Sequence, residues 1–418
     1  MTVQFFYIVM IITFLYVLIK FRKNLLYTLI ILLFYDGLFA SFGDQIWNIY
    51  KASLPIIALY CFINLSSYKG WQKRDSFILI SFLMFTLVFF LSAYLNNDYF
   101  TLIFSQYSKY FNLFLLFFIF KKIAYRKVSQ FETIKRLLYI LLLIQIILTI
   151  LKFFVFGFYE SIVGSISYTG GAAASILPIM GFIFIWFKKK GILDRSDWII
   201  ILMFMLIGVV SMKRAIWFVM PIVILLFLYY IPQKRIPKNF YYAIPLILVG
   251  FYYAVRMNPT FNRESSKWGS FDLNYVLKSS SEYTFGSKES KEKGQGRGGA
   301  ILLLFDNLVH GELNKKSLIG YGLKDMYTTD YEQFDQLGFG LNHKGSATGL
   351  FQTYVSSGYL GILSTLLFAF SMLKTIREKR IRLVITGLFF WEYALYTGSI
   401  IRNPAVAILL VFIIAYSN

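Results

Sequence analysis

Residues 198–231 read WIIILMFMLIGVVSMKRAIWFVMPIVILLFLYYI, thirty-four residues whose only charges are the adjacent pair Lys213-Arg214. One continuous helix at about 1.5 Å per residue would be roughly 51 Å long, against a hydrocarbon core of about 30 Å. The stretch therefore predicts two antiparallel membrane spans that break at Lys213-Arg214. The same length rule applied outward predicts spans at 4–19, 25–41, 52–66, 76–95, 101–120 and 137–158. Further spans follow at 172–187, 197–211, 215–231, 240–255, 347–373, 383–399 and 404–416. The count is thirteen, or twelve if the short final segment is re-entrant.

Composition agrees with this reading. The 418 residues are 58% hydrophobic and 15% charged, with a mean hydropathy of +0.62; soluble domains are about 45–50% apolar and 25% charged. The expected fold class is an all-α polytopic membrane protein. It divides into a bundle of about ten helices (1–255), a large extracytoplasmic loop (256–346) and C-terminal membrane helices (347–418). The first apolar run, Phe5–Ile19, lacks a basic n-region and a small-residue cleavage site, so it reads as a first span rather than a signal peptide. Cys61 is the single cysteine, and with His310 and His343 as the only histidines no metal centre is expected. No internal repeat is evident.

The net charge of +21 is spread over connections and never forms a basic face interleaved with aromatics, which argues against a nucleic-acid partner. Counted over alternate short connections, one set carries 24 Lys and Arg residues, including Lys20, Lys69, Lys121–Arg136, Lys188–Lys190, Lys234 and Lys374–Arg382. Positive short loops stay cytoplasmic, so this set is expected inside. The other connections, with Lys51, Lys213, Arg214 and Arg402 among their few cations, are expected outside, together with the N-terminus. The basic 121–136 segment is expected to lie on the anionic inner leaflet. The long outer connection is nearly neutral, with 12 Lys/Arg and 11 Asp/Glu over 256–345. Its Ser279–Gly299 part is polar and Gly/Ser/Lys-rich, whereas Ala300–Val309 is apolar but too short to span and predicts an interfacial helix.

Three features carry chemical potential. Lys213-Arg214 places two cations at a tight outer turn, either snorkelling at a helix end or positioned for a headgroup-level phosphate. Gly294-Gln-Gly-Arg-Gly-Gly299 lacks the ending of a nucleotide P-loop, but it sets Arg297 at the N-terminus of the 300–309 helix, where charge and free N–H groups favour an anion. His343, in Gly338-Phe-Gly-Leu-Asn-His-Lys-Gly-Ser, stands at the outer mouth just before the span at Ala347, where an imidazole can take a hydroxyl proton. His310 reads as a helix C-terminal or interfacial residue, and Gly320-Tyr-Gly322 as a turn.

The order of these features, a Ser-x-x-Arg turn, one long outer loop with Gly-Arg, Gly-x-Gly and a late histidine, and then the Gly-rich helix start Ser357-Gly-Tyr-Leu-Gly361, resembles the O-antigen polymerase and O-antigen ligase superfamily. The resemblance covers motifs within about 205–365 and hydropathy elsewhere. It implies a fold like that of multi-span lipid-donor glycosyltransferases and a metal- and nucleotide-independent glycosyl transfer without a cofactor. The reaction would take place on the outer face of the bacterial cytoplasmic membrane. It implies an undecaprenyl-diphosphate-linked glycan as donor, membrane lipids as surroundings and a chain-length regulator as a possible protein partner. Carried over, Arg214 resembles the turn arginine on the lipid diphosphate, Arg297 the loop arginine and His343 the histidine at the acceptor hydroxyl. Lys213 is an additional cation beside Arg214, and Lys344 stands where an asparagine often follows the histidine. Polymerase is the preferred expectation over a ligase-type transferase. A glycolipid transporter, the alternative from another class, would place ionisable residues such as Lys109, Lys152 and Glu392 at mid-membrane on broken helices.

Overall fold

The computed structural model describes residues 3–64, 73–157, 162–166, 172–211, 213–230, 297–311, 314–324, 348–396 and 398–417, with isolated positions at 252, 274, 277–278 and 281. Among them every regular element is helical. Six helices are long and apolar enough to cross a membrane, and four more apolar helices are 10–17 residues long. The chain is an all-α, membrane-embedded protein. The expected span at 240–255 and most of the long connection lie outside the described residues.

In chain order the helices are α1 (Val3–Phe21), α2 (Leu25–Phe34), α3 (Asp36–Ser41), α4 (Asp44–Asn64), α5 (Lys73–Leu95), α6 (Phe100–Arg126), α7 (Val128–Phe156) and α8 (Ala172–Lys188). There follow α9 (Arg195–Val210), α10 (Arg214–Leu225), α11 (Arg297–His310), α12 (Lys315–Ile319), α13 (Gly349–Leu373), α14 (Lys379–Leu395), α15 (Ser399–Arg402) and α16 (Pro404–Tyr416). Helices α5 and α13 pack antiparallel. The α5 and α13 hydroxyls Ser81 and Ser371 meet at 2.8 Å, and Ser92 donates to the Ser356 carbonyl at 2.7 Å.

The break within 198–231 falls where length required it. Helix α9 ends at Val210, Lys213 is extended at the N-cap of α10, and α10 starts at Arg214. Pro221 lies inside α10, which passes into a π-helical turn, Leu226–Tyr230; the missing proline N–H is a ready cause of such an irregularity.

Two expectations are corrected, at 25–41 and at 121–136, and the last segment keeps its expected bounds. The span at 25–41 is two helices, because Tyr35 leaves helical geometry (φ −116°, ψ 27°). The freed groups are taken by another part of the chain: Ser165 donates to the Phe34 carbonyl at 2.8 Å and its own carbonyl accepts from Gly37 N–H at 2.8 Å. Gln145 Oε1 accepts from Ser165 N–H at 2.7 Å and Thr149 Oγ1 from Gly164 N–H at 2.8 Å, so this buried polar node is satisfied internally, as an apolar bundle requires. The basic 121–136 segment is not a separate surface helix. Helix α6 runs on to Arg126 and α7 begins at Val128, because Lys121 reaches inward to a buried ion pair with Asp75. Finally, the short last segment is a central strut. Every residue of α16 from Ala405 to Ala415 is buried, and Phe412 stacks on Phe131 (4.9 Å between centroids) and packs against Phe184 (5.2 Å). At about 1.5 Å per residue, thirteen residues reach roughly 20 Å, less than a full crossing.

Around this strut the peripheral helices invert the soluble pattern. On α1 the side chains Ile8, Ile12, Leu15 and Ile19 are exposed, as are Ile80, Leu83, Leu87 and Phe90 on α5; such faces suit lipid tails. Beyond the end of α8, Lys189 bridges Asp194 (2.6 Å) and Asp197 (2.9 Å), and that bridge holds the exposed Asp194 carboxyl well below the usual carboxylate range.

Candidate functional site

The segment that holds the long connection against the bundle is anchored by two glycines. At Gly358 (φ 66°, ψ −163°) α13 kinks, and a Cβ there would lie 2.3 Å from the Leu318 carbonyl carbon. Opposite stands Gly320 (φ 94°), whose Cβ would lie 2.5 Å from Ser357 N. The kink leaves the Val355 carbonyl to accept from Tyr321 N–H at 2.7 Å and Gly322 N–H at 3.1 Å. Asp98, in the α5–α6 turn, accepts from Leu323 N–H at 2.8 Å and Lys324 N–H at 2.7 Å. Gly320-Tyr-Gly322 and Ser357-Gly-Tyr-Leu-Gly361, read separately as a turn and a helix start, are thus two halves of one backbone joint.

Helix α11 docks beside this joint. Leu304 is buried against Phe351, Tyr354 and Val355, and its carbonyl accepts from Tyr359 Oη at 2.7 Å. Leu302, Phe305 and Val309 remain exposed, the two-faced character expected of an interfacial helix. Arg297 is the first residue of α11, as expected. It does not simply extend into solvent: its Nη1 donates to the Leu395 carbonyl at 3.1 Å, and the guanidinium lies 4.9 Å from the Tyr396 ring centroid.

That contact ties Arg297 to the turn leading into α15, which ends in Arg402. Glu392, in the last turn of α14, is a structural group there, accepting from Ile400 N–H at 3.1 Å. Arg402 in turn lies within electrostatic range of Lys109 on α6, and Lys109 also senses Lys51 on α4 and Asp36 on α3. Trp47 Nε1 donates to Asp36 Oδ1 at 2.9 Å, and Lys51 Nζ sits 2.9 Å from the Trp47 ring centroid. Lys109 Nζ donates to Gln106 Oε1 at 2.9 Å. Asp44 lies within range of Lys51. Lys51, Lys109 and Arg402, from α4, α6 and α15, thus lie within electrostatic range of one another or of the carboxylates Asp36 and Asp44, while Arg297 is held on the chain that leads into α15. Gathering like charges where burial penalises them is costly, and an anionic ligand offsets that cost.

Of the residues singled out in the sequence, Arg297 belongs to this end. Lys213 is half-buried at the α9–α10 break. Arg214 opens α10, its side chain lying outside the described atoms, and His343 lies outside the described residues. His310 occupies the last turn of α11, exposed, with Nε2 3.9 Å from Asp306 Oδ1. Sequence reasoning did not assign Lys51, Lys109, Arg402 and Asp36 to a site. Their signal was present in the charge rule, which marks cations outside the basic connections as costly, but their convergence is a tertiary property.

Fold and cluster together define a class, an all-α membrane protein with a cationic site at one end of its bundle. No protein-family model matches the chain, and no curated protein matches it in sequence.

Proposed function

We propose that the protein is a glycosyltransferase that polymerises undecaprenyl-diphosphate-linked oligosaccharide repeat units at the outer face of the bacterial cytoplasmic membrane. The observation that carries the reading is the convergence of Lys51, Lys109 and Arg402, with Arg297 tied to the chain leading into α15. It stands at the bundle end that the charge rule assigns to the outside, and its chemistry suits a lipid diphosphate. Acyl or nucleotide chemistry has no comparable support in the motifs.

In this reading an acceptor sugar hydroxyl attacks the anomeric carbon of the donor. The new glycosidic C–O bond forms as the bond from that carbon to the phosphate oxygen breaks. The electron pair leaves with the lipid diphosphate, and the hydroxyl proton passes to His343. Negative charge grows on the departing diphosphate, so cations fixed beforehand stabilise the transition state more than the ground state. Arg214 and Arg297 are assigned to the diphosphate, with Lys213, adjacent to Arg214 in the sequence, as a further cation; with no covalent intermediate, the anomeric configuration inverts. Ligase-type transfer uses the same donor parts with a different acceptor. The helix break at Gly358 is filled by the backbone of 318–322.

The test is reconstitution of the purified protein in liposomes with a lipid-linked repeat unit. A ladder of oligomers is expected from the native sequence, with Arg214→Ala, Arg297→Ala and His343→Ala each lowering the rate by about 10²–10³-fold. Near-normal chain length in all three variants would remove the mechanism.

A further inference from the structure

At the opposite end of the bundle lies a recess of about 820 Å³ between α1, α7 and α8. Its lining includes Lys20 from α1, Glu132, Lys135, Arg136 and Tyr139 from α7, and Lys188 from α8. Four of these six side chains are cations. The single carboxylate, Glu132, pairs with Lys135. The nearby acids Asp194 and Asp197 are bridged by Lys189. Lys20 donates to Tyr16 Oη at 3.2 Å, and Lys188 Nζ lies 3.0 Å from the Tyr139 ring centroid. Among the described residues, Lys20, Arg136 and Lys188 form no salt bridge with a carboxylate. Lys188 also senses the positive charges of Lys189 and Lys135 and, against them, the negative charges of Asp197 and Asp194.

A preference for cytoplasmic cations explains why such residues occur at this end, but not why three helices present them to one concavity. The depth is that of a membrane boundary. Lys20 and Lys188 lie in the last turns of their helices, and the 29 residues of α7 make it roughly 43 Å long, so its first turns project beyond a core of about 30 Å. The exposed stripe Ile8, Ile12, Leu15 and Ile19 runs along α1 to Lys20, a surface for acyl chains leading directly to the cations.

We infer that this recess is a binding site for the phosphodiester headgroup of an anionic phospholipid, with the acyl chains lying along α1. The site is separate from the proposed glycan-transfer site and does not depend on it. Basic concavities between membrane helices are suited to such headgroups, each cation contributing about fivefold and three together roughly a hundredfold in affinity.

The experiment measures phosphatidylglycerol bound to the full-length protein by native mass spectrometry after extraction from vesicles of phosphatidylglycerol and phosphatidylcholine. The native sequence should retain phosphatidylglycerol over phosphatidylcholine. The triple variant Lys20→Gln/Arg136→Gln/Lys188→Gln should lose that preference by roughly a hundredfold. A charge-matched control at exposed lysines on the same rim, Lys127→Gln/Lys190→Gln/Lys379→Gln, should keep it. If the triple variant fails to fold, Arg136→Gln alone should lower retention about fivefold and Arg136→Lys should largely restore it. Equal losses in the variant and its control would show diffuse rim electrostatics and overturn the inference. So would release of the lipid by inorganic phosphate at comparable concentration, which would mark a site for free anions.

Discussion

Gly358 and Gly387 both lie within α-helices, yet a methyl group should have opposite effects on them. At Gly358 the backbone is in a region essentially reserved for glycine, and the added carbon would meet the Leu318 carbonyl. Gly358→Ala should cost at least about 2 kcal/mol and lower the thermal midpoint in detergent by several degrees. A Cβ at Gly387 meets nothing within 4 Å, so Gly387→Ala should leave stability unchanged or raise it by up to about 1 kcal/mol through helix preference, with the thermal midpoint unchanged or higher. A second residue pair makes a sharper test. Asp75 and Lys121 are both buried, so Asp75→Asn strands a charge and should destabilise by about 3–5 kcal/mol, while Asp75→Leu/Lys121→Met should recover most of that loss. A double-mutant cycle on denaturation midpoints checks it; two independent, additive losses would show that the pair is not coupled.

Among the elements, α11 depends on side-chain contacts rather than on its own length, since fourteen residues are a marginal helix in isolation. Removing the hydroxyl in Tyr359→Phe deletes the hydrogen bond to the Leu304 carbonyl and should loosen α11 by about 1 kcal/mol. Hydrogen exchange over 301–310 should then quicken roughly fivefold while α16 is unchanged. Uniform protection across both helices would show that α11 is held by other means.

The element scale also shows what the residues alone could and could not reveal. The break at Lys213-Arg214 was legible because it follows from local length against membrane thickness, as was the helix beginning at Arg297. The break at Tyr35 was not, because its cause, Ser165, arrives from 130 residues further along. The 121–136 stretch was misread for the same reason: Lys121 looks like an interfacial cation until Asp75 is placed beside it. The cluster of Lys51, Lys109 and Arg402 was legible only as three costly cations. Which of them share a space is set by how α4, α6 and α15 pack.

At the scale of the whole molecule, the proposed chemistry requires the Arg402 end to face outward and the Lys188 end to face the cytoplasm. Cys61 is buried and is the single cysteine, which makes a labelling test simple. In a Cys61→Ser background, Lys324→Cys should react with an impermeant maleimide in intact cells, and Lys190→Cys only after permeabilisation. The reverse pattern would invert the molecule and put the donor site on the wrong face.

The central claim is that cations from separate helices clasp a lipid diphosphate. Its most direct test compares undecaprenyl diphosphate with undecaprenyl monophosphate binding to the purified protein in neutral nanodiscs, for the native sequence and for Lys109→Met and Arg402→Gln. The native protein should prefer the diphosphate by at least about tenfold, equivalent to roughly 1.4 kcal/mol, and each variant should erase most of that preference without lowering the thermal midpoint. Equal affinity for the two lipids, or an undiminished preference in both variants, would contradict the account.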